Sequence, residues 1–561
     1  MRHMSQNIRN LSSLITDFQR SLRSTWTSAG SRPLLGLAIS GGVDSMALAS
    51  LCHRFGLASP HHPSFIGFIV DHKLRRGSTE EAHKVAECLR RLHISPRVLT
   101  LDWSDYGPIG SLPNLESIAR RLRYQALGNA CRKEGIASLL VAHHAYDQAE
   151  TVMLRLLGNY RGNGLRGIKR SRPIPECEGM YGVHQSGEPR SWASLEMQGQ
   201  DCISDMLIED GGLNIERPLL AFTKSRLTAY CHEQGIDWFE DHTNADRTYT
   251  LRNTVRHLLG SSELPHALRK PRLHHLTDVV AARERRSEEL AQSIYSESKI
   301  SLDPRTGQAS ITLPETIGSS AIEDASAAAI LARKFLRLCS PANDIKLQEL
   351  DGLVRLLRKD DELSKGVTDR CQLAGVDILC VADESQRRHL KLQRSLPSKQ
   401  ERLRRQIILF KRQSDLAGSD WQLWDNRYWI WVGRQGDAPY TEIKTRFLEP
   451  EDLAMARANL DNGQRKLLNS ALSAASGTCR YSLPAIVAIR TSQSGGNGNA
   501  VEQIVVLPTL GWSASGWQRW QAKAGNGSTS VATSNLWDVR YRHVEPQGAE
   551  QGEISSLPES Q

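Results

Sequence analysis

The chain has 561 residues, a formal net charge of +9, 39% hydrophobic residues and 24% charged residues. That length exceeds one ordinary hydrophobic core and predicts two or three domains. No apolar run approaches the roughly eighteen residues that a membrane-crossing helix needs, which excludes an integral helical membrane protein. The positive balance admits an anionic partner without specifying one. None of the ten cysteines stands in C-x-x-C spacing, which argues against a zinc ribbon, a redox dithiol or an iron–sulfur motif.

Residues 1–33 form an N-terminal segment in which Asp17 is the sole acid. Its Arg- and Ser-bearing composition fits a mitochondrial transit peptide. Its Leu11, Leu14, Ile15, Phe18 and Leu22 recur at helical spacing and fit the first helix of the folded domain. From Leu34 the pattern alternates strand-length apolar runs ("LLGLAIS", "FIGFIVD", "PRVLTLDW", "ASLLVAH") with amphipathic helical segments. Such units predict a doubly wound parallel α/β domain over residues 34–260, with ligands bound beyond the carboxyl ends of the strands. Residues 174–212 lose periodicity, are rich in Gly, Ser, Glu and Pro, and read as a disordered surface insertion. A helical region follows at 261–365, and then a small mixed α+β region at 366–545 that includes "GVDILCVA" and "WQLWDNRYWIWVGR". Residues 546–561 read as a disordered tail.

The most informative interruption is Ser40-Gly41-Gly42-Val43-Asp44-Ser45. Two glycines after a buried strand permit a tight turn with exposed N–H groups, and the following helix N-terminus favours anions. A phosphate-binding loop is the economical reading. The stretch has neither the Gly-Lys-Ser/Thr of a Walker loop nor the G-x-G-x-x-G of a dinucleotide fold.

This loop resembles the SGGxDS pyrophosphate loop of the N-type ATP pyrophosphatases. Further motifs resemble, in order, those of the tRNA(Ile)-lysidine synthase family. They are Asp71-His72-Lys73-Leu74-Arg75; Asn114-Leu115-Glu116 with Ala119-Arg120 and Arg123-Tyr124; and His143-His144-Ala145-Tyr146-Asp147-Gln148-Ala149-Glu150-Thr151. Arg217-Pro218-Leu219-Leu220 comes next, then Glu240-Asp241 and Thr243-Asn244, followed by Arg252-Asn253 and Arg256. The family often has two consecutive acids where this chain has Tyr146-Asp147. The Gly-rich stretch Gly158 to Ile168, expected near the RNA base, is respaced upstream of Gly164-Leu165-Arg166-Gly167-Ile168.

The resemblance implies a ligase, with ATP and Mg²⁺ as cofactors. It would join free lysine to C2 of the wobble cytidine of an isoleucine tRNA with a CAU anticodon, through an adenylated cytidine, releasing AMP and pyrophosphate. Ser40, Gly41, Gly42, Val43, Asp44, Ser45, Asp71 and His72 would bind the nucleotide, with Asp44 and Asp147 organising the metal or acting as base. Arg120 and Arg123 would reach phosphate or the activated base, and Glu150 would receive the substrate lysine and take its proton. His143, His144, Arg252, Asn253 and Arg256 would contact substrate.

Two other readings are a tRNA thiolase with the same loop, disfavoured by the unpaired cysteines, and a non-catalytic tRNA-binding protein with this fold, disfavoured by the intact loop and Asp147. An amidotransferase is disfavoured because no Cys follows the initiating Met. In the C-terminal region, Trp424, Tyr428, Trp429 and Trp431 with Arg427 and Arg434 fit burial in a β core better than RNA stacking. The long insertion and tail resemble those of eukaryotic, fungal-like members. With lysidine belonging to bacterial and organellar decoding, this implies mitochondrial rather than cytoplasmic residence.

Overall fold

The structure is a computed structural model. It describes residues 2–23, 33–57, 63–108, 112–191, 206–239, 251–261, 263–314, 324–358, 368–382, 387–411, 420–433, 440–475, 477–491, 500–520 and 535–545. The first half runs α1 (Arg2–Arg23), β1 (Leu34–Ile39), α2 (Val43–Leu57), β2 (Ser64–Asp71), α3 (Ser78–Arg91), β3 (Ser95–Thr100), α4 (Leu115–Lys133), β4 (Ser138–Val141) and α5 (Ala145–Leu157). It continues through β5 (Ser171–Pro173), β6 (Asn214–Glu216), α6 (Lys224–Glu233), α7 (Leu251–Gly260) and α8 (Lys270–Glu297).

The strands form one sheet in the order β3-β2-β1-β4-β6-β5, parallel except at the β5 edge. Successive side chains of a strand point to opposite faces, and both faces are covered. Leu35, Leu37 and Ile39 pack beneath α1, α2, α3 and α6, through Phe18, Met46, Leu89 and Leu227 among others. Phe68, Leu139 and Val141 pack beneath Tyr124, Leu127 and Cys131 of α4. A Cβ on Gly36 would stand 3.0 Å from both Leu139 and Phe68, so glycine lets β1 sit close between its neighbours. This is the expected doubly wound α/β architecture. Residues Arg2 to Arg23 form a helix whose Leu14, Phe18 and Leu22 are buried against α2 and its neighbours.

Two expectations are corrected. The insertion at 174–212 is folded wherever it is described. Ile174, Cys177 and Val183 are fully buried against α4, where Gly128 leaves room for them. Met206 and Ile208 join the C-terminal core, with Glu209 N–H donating to Tyr541 O at 2.8 Å. Residues 192–205 lie outside the described residues.

The boundary at 365 also fails, because the hairpin β7 (Lys299–Asp303) and β8 (Gln308–Thr312) lies within a region read as helical. It belongs to a five-stranded sheet with later strands β9 (Thr368–Leu373), β10 (Val376–Ala382) and β11 (Arg388–Arg394), in the order β7-β8-β11-β10-β9. Two further sheets complete the C-terminal half. One of them buries Trp424, Tyr428 and Trp429, with the Arg427 side chain fully enclosed, as the β-core reading expects. Arg434 lies outside the described residues.

Candidate active site

The chain builds outward from β1 through β2 to β3, then returns to place β4 on the other side of β1. Loops leaving β1 and β4 therefore diverge, and the crevice between their carboxyl ends is the topological switch point where open α/β sheets bind ligands. Ser40–Ser45 leaves β1 there, and His143-His144 leaves β4.

The two glycines of the first loop do different work. Gly41 has φ +86°, and a Cβ on it would stand 2.6 Å from Val85 Cγ2, so the fold itself requires glycine. Its carbonyl accepts from Phe239 N–H at 2.9 Å. Among the described residues a Cβ on Gly42 would meet nothing nearer than Ser40 Oγ at 3.8 Å. The fold does not need glycine there, but a phosphate approaching the backbone would. Ser40 Oγ donates to Ser45 Oγ at 3.3 Å, and Ser45 Oγ donates to Gly42 O at 2.9 Å, so the hydroxyls brace the turn.

Asp44, in the first turn of α2, brings Oδ2 to 3.4 Å from His144 Nε2 and 4.0 Å from Lys224 Nζ. Its buried Oδ1 has no hydrogen-bond partner among the described residues. His144 caps α5: its Nδ1 accepts from Tyr146 N–H at 3.1 Å, which places the ring proton on Nε2, toward Asp44. Burial opposes a second proton on His144, but the Asp44 hydrogen bond and the Asp147 and Asp44 charges outweigh it and raise the pKa. In His143, burial dominates. With the charges of Arg217, Arg252 and Arg123 it holds the ring at about 4, against the pull of Asp147, so the ring is neutral and accepts from Arg217 Nε at 3.2 Å.

The acids expected to do chemistry are more committed than their motif suggests. Asp147 Oδ2 accepts His144 N–H at 2.9 Å, completing the cap, and Oδ1 takes Arg252 Nη2 at 3.1 Å. Burial resists its charge, but His144, His143 and Arg252 still hold its carboxyl below the usual range. Glu150 is 4% exposed and bound on both oxygens: Arg256 Nε at 2.8 Å to Oε1, and Arg252 Nε at 3.0 Å to Oε2. Of the expected Asp44–Asp147 metal pair, Asp147 has both oxygens engaged within the protein and Asp44 has one. Glu150, expected to take an amine proton, ties α7 to α5 in this structure. Asn253 lies half-buried on the same helix.

Asp71, expected to bind the nucleotide, braces its own turn. Burial resists its charge, yet hydrogen bonds from Ser78 Oγ at 2.7 Å, Thr79 Oγ1 at 2.8 Å and Lys73 N–H at 3.2 Å hold it at about 2. The turn it fixes presents His72. Burial and Arg123 lower the His72 pKa, and its Nδ1 has no partner among the described residues. Arg120 is exposed and leans on Glu176 at 3.4 Å and on the Tyr124 ring, away from Asp44. Glu240, Asp241, Thr243 and Asn244 lie outside the described residues.

The motifs assign Lys224 no site role and name Arg217 only within Arg217-Pro218-Leu219-Leu220. Arg217 is buried and ties His143 to the carbonyl of Lys169. Only an arginine directly following a strand hinted at this. Lys224 carries no sequence signal of its own. Among the described residues no group of three His, Cys, Asp or Glu side chains forms a metal cage. Asp44, with one uncommitted oxygen, fits a magnesium ion that takes most of its ligands from nucleotide phosphates and water.

A glycine loop at the switch point, with an acid just inside the following helix, defines a PP-loop domain, and residues 14–263 match the family model described as a PP-loop domain. Within that class the chain is similar to tRNA(Ile)-lysidine synthases. It is 36% identical over 248 residues to the probable tRNA(Ile)-lysidine synthase of Schizosaccharomyces pombe, covering 44% of this chain and 48% of that one. It is 33% identical over 217 residues to the enzyme of Bradyrhizobium sp., covering 39% and 49%. With that of Bifidobacterium longum the identity is 31% over 239 residues, covering 41% and 50%. The chain spans about half the length of these relatives.

Proposed function

We propose that the protein is an ATP-dependent ligase that joins lysine to C2 of the wobble cytidine of an isoleucine tRNA with a CAU anticodon. ATP is cleaved to AMP and pyrophosphate, and the adenylated cytidine is the intermediate. The observation that carries the reading is the loop itself: among the described residues a Cβ on Gly42 would meet nothing nearer than 3.8 Å, and Asp44 Oδ1 has no hydrogen-bond partner. Loop N–H groups there would hold phosphate, and Asp44 would help hold a magnesium ion that neutralises the departing pyrophosphate.

The chain's own residues then divide the work. Backbone N–H groups of the loop and the N-terminus of α2 hold pyrophosphate. His144 and Lys224 orient Asp44. Arg123, on the side of α4 facing His72 and His143, stands ready for charge developing on the nucleotide or base. Contacts to the tRNA from beyond Gly260 and a mitochondrial address are part of the same proposal.

The test is mass spectrometry of nucleosides after incubating the protein with ATP, lysine and that tRNA. Lysidine, with AMP formed in step, supports the reading. ADP and inorganic phosphate without AMP overturn it.

A further inference from the structure

Between Glu150 and Glu176 the chain carries six lysine or arginine residues and no acid. Much of that charge is used internally. Arg155 Nη1 donates to the carbonyls of Gly164 and Gly167, each at 2.9 Å, Arg166 pairs with Glu284 of α8, and Lys169 pairs with Glu288. Arg161 is exposed, and its Nη2 reaches the side-chain oxygen of Asn159 rather than a carboxylate. Arg172, also exposed, donates to the carbonyl of Pro173.

Within this basic stretch stands Tyr160, 58% exposed. An exposed aromatic by itself is ordinary; the way this one is held is not. Its N–H donates to Arg155 O at 2.9 Å, after a left-handed turn at Asn159 with φ +58°. The ring lies against two glycines: a Cβ on Gly158 would stand 3.2 Å from ring atoms Cδ2 and Cε2, and one on Gly164 would stand 3.3 Å from Cδ1. The glycines therefore seat the ring, while more than half of the side chain faces solvent.

The loop is rigid at its other end as well. Gln148 brackets Ile168, accepting its N–H at 2.6 Å and donating to its carbonyl at 3.1 Å. Arg217 joins the next carbonyl, that of Lys169, to His143. The seated ring and the candidate active site thus share one frame.

We propose that Tyr160 is a stacking platform for an unpaired base of the RNA substrate, with Arg161 and Arg172 meeting the adjoining phosphates. This rests on the proposed function, which supplies RNA as the substrate. A pre-seated aromatic face in a stretch with exposed Arg161 and Arg172 suits a polyanion with π surfaces better than it suits a protein partner. Seating the ring in advance removes ordering cost at binding.

The test compares the full-length protein with Tyr160→Leu, Tyr160→Phe and Tyr160→Trp, measuring affinity for the CAU-anticodon isoleucine tRNA, lysidine formation and thermal unfolding. Leucine keeps apolar bulk but removes the π face, so Tyr160→Leu should weaken tRNA binding about 10-fold with unfolding unchanged. Phenylalanine and tryptophan should bind as wild type does. Wild-type affinity in Tyr160→Leu, or equal weakness in all three variants, overturns the platform. If the wild-type protein forms no lysidine while tRNA affinity still follows the aromatic ring, the ligase reading falls and the platform stands.

Discussion

Asp44 and His144 meet at 3.4 Å across the switch point, although 100 residues separate them in the chain. Each arrives at the start of its own helix, one after β1 and one after β4. His144 holds Oδ2 and leaves Oδ1 without a partner among the described residues. Asp44→Asn should therefore keep the fold, since the amide oxygen can still accept from His144. It should lower ATP-dependent pyrophosphate release about 100-fold or more, the scale for losing a group that organises transition-state charge. Release near the wild-type rate would remove Asp44 from the chemistry.

The two loop glycines separate folding from binding. Gly41→Ala should reduce soluble, folded protein, because φ +86° and the Val85 contact both oppose a Cβ. Gly42→Ala should melt like wild type yet bind ATP about 10-fold more weakly, the scale of one lost hydrogen bond to a charged group. Equal ATP affinity in Gly42→Ala would mean that phosphate does not approach there.

Asp147 and Glu150 should show their bracing roles in stability as well as turnover. Asp147→Ala removes its half of the α5 capping box and the Arg252 pair, and should cost about 1–2 kcal/mol in urea unfolding. Glu150→Gln removes the charge that Arg252 and Arg256 share, leaving Arg252 its bond to Asp147, and should speed amide exchange in α7 selectively. Unchanged exchange there would show that α7 is held by Val255 and Leu259 packing alone.

Two buried groups give opposing pH dependences. Burial pushes Glu216 up to about 7, against Ser171, Arg170 and Arg217. A raised carboxyl pKa gives stability that is full below the unfolded value near 4.5 and lost as pH rises through 7. His143, depressed to about 4, gives stability present above the unfolded value of 6.5 and lost as pH falls toward 4. Glu216→Gln should therefore stabilise the protein at about pH 8 and leave it unchanged at about pH 5. His143→Gln should flatten the acid side. Urea midpoints across this range check both signs.

Replacing residues 174–212 with a short linker should abolish soluble protein. It would remove Ile174, Cys177 and Val183 from beneath α4, and would leave Arg540 without Glu209, its partner at 2.8 Å. A soluble, active deletion would refute the packing described.

The parallel sheet and the glycine loop were legible because their signals are local: period-two apolar runs, and glycines where the chain must turn. The insertion was not. Its buried residues are irregularly spaced around turns at Gly179, Gly182 and Gly187, and they pack on elements distant in sequence. The β7–β8 hairpin carried a readable alternation in Ile300, Leu302, Ala309 and Ile311, but its partner strand β11 begins at Arg388, far beyond a local window. In the site, the motifs supplied residue types but not what each carboxylate oxygen bonds. That is why the bracing contacts of Asp71, Asp147 and Glu150 were not foreseen.

The Glu209–Arg540 pair has a consequence for how this chain is cut. Similarity to the PP-loop model stops at residue 263, and an expression plasmid ending there would look natural. Its product would carry Met206 and Ile208 uncovered and Glu209 stripped of its counter-ion, a raw face ready to aggregate. The stretch that matches the family model is therefore not the stretch that can stand alone, and whoever works with the PP-loop half has to carry the C-terminal half along with it.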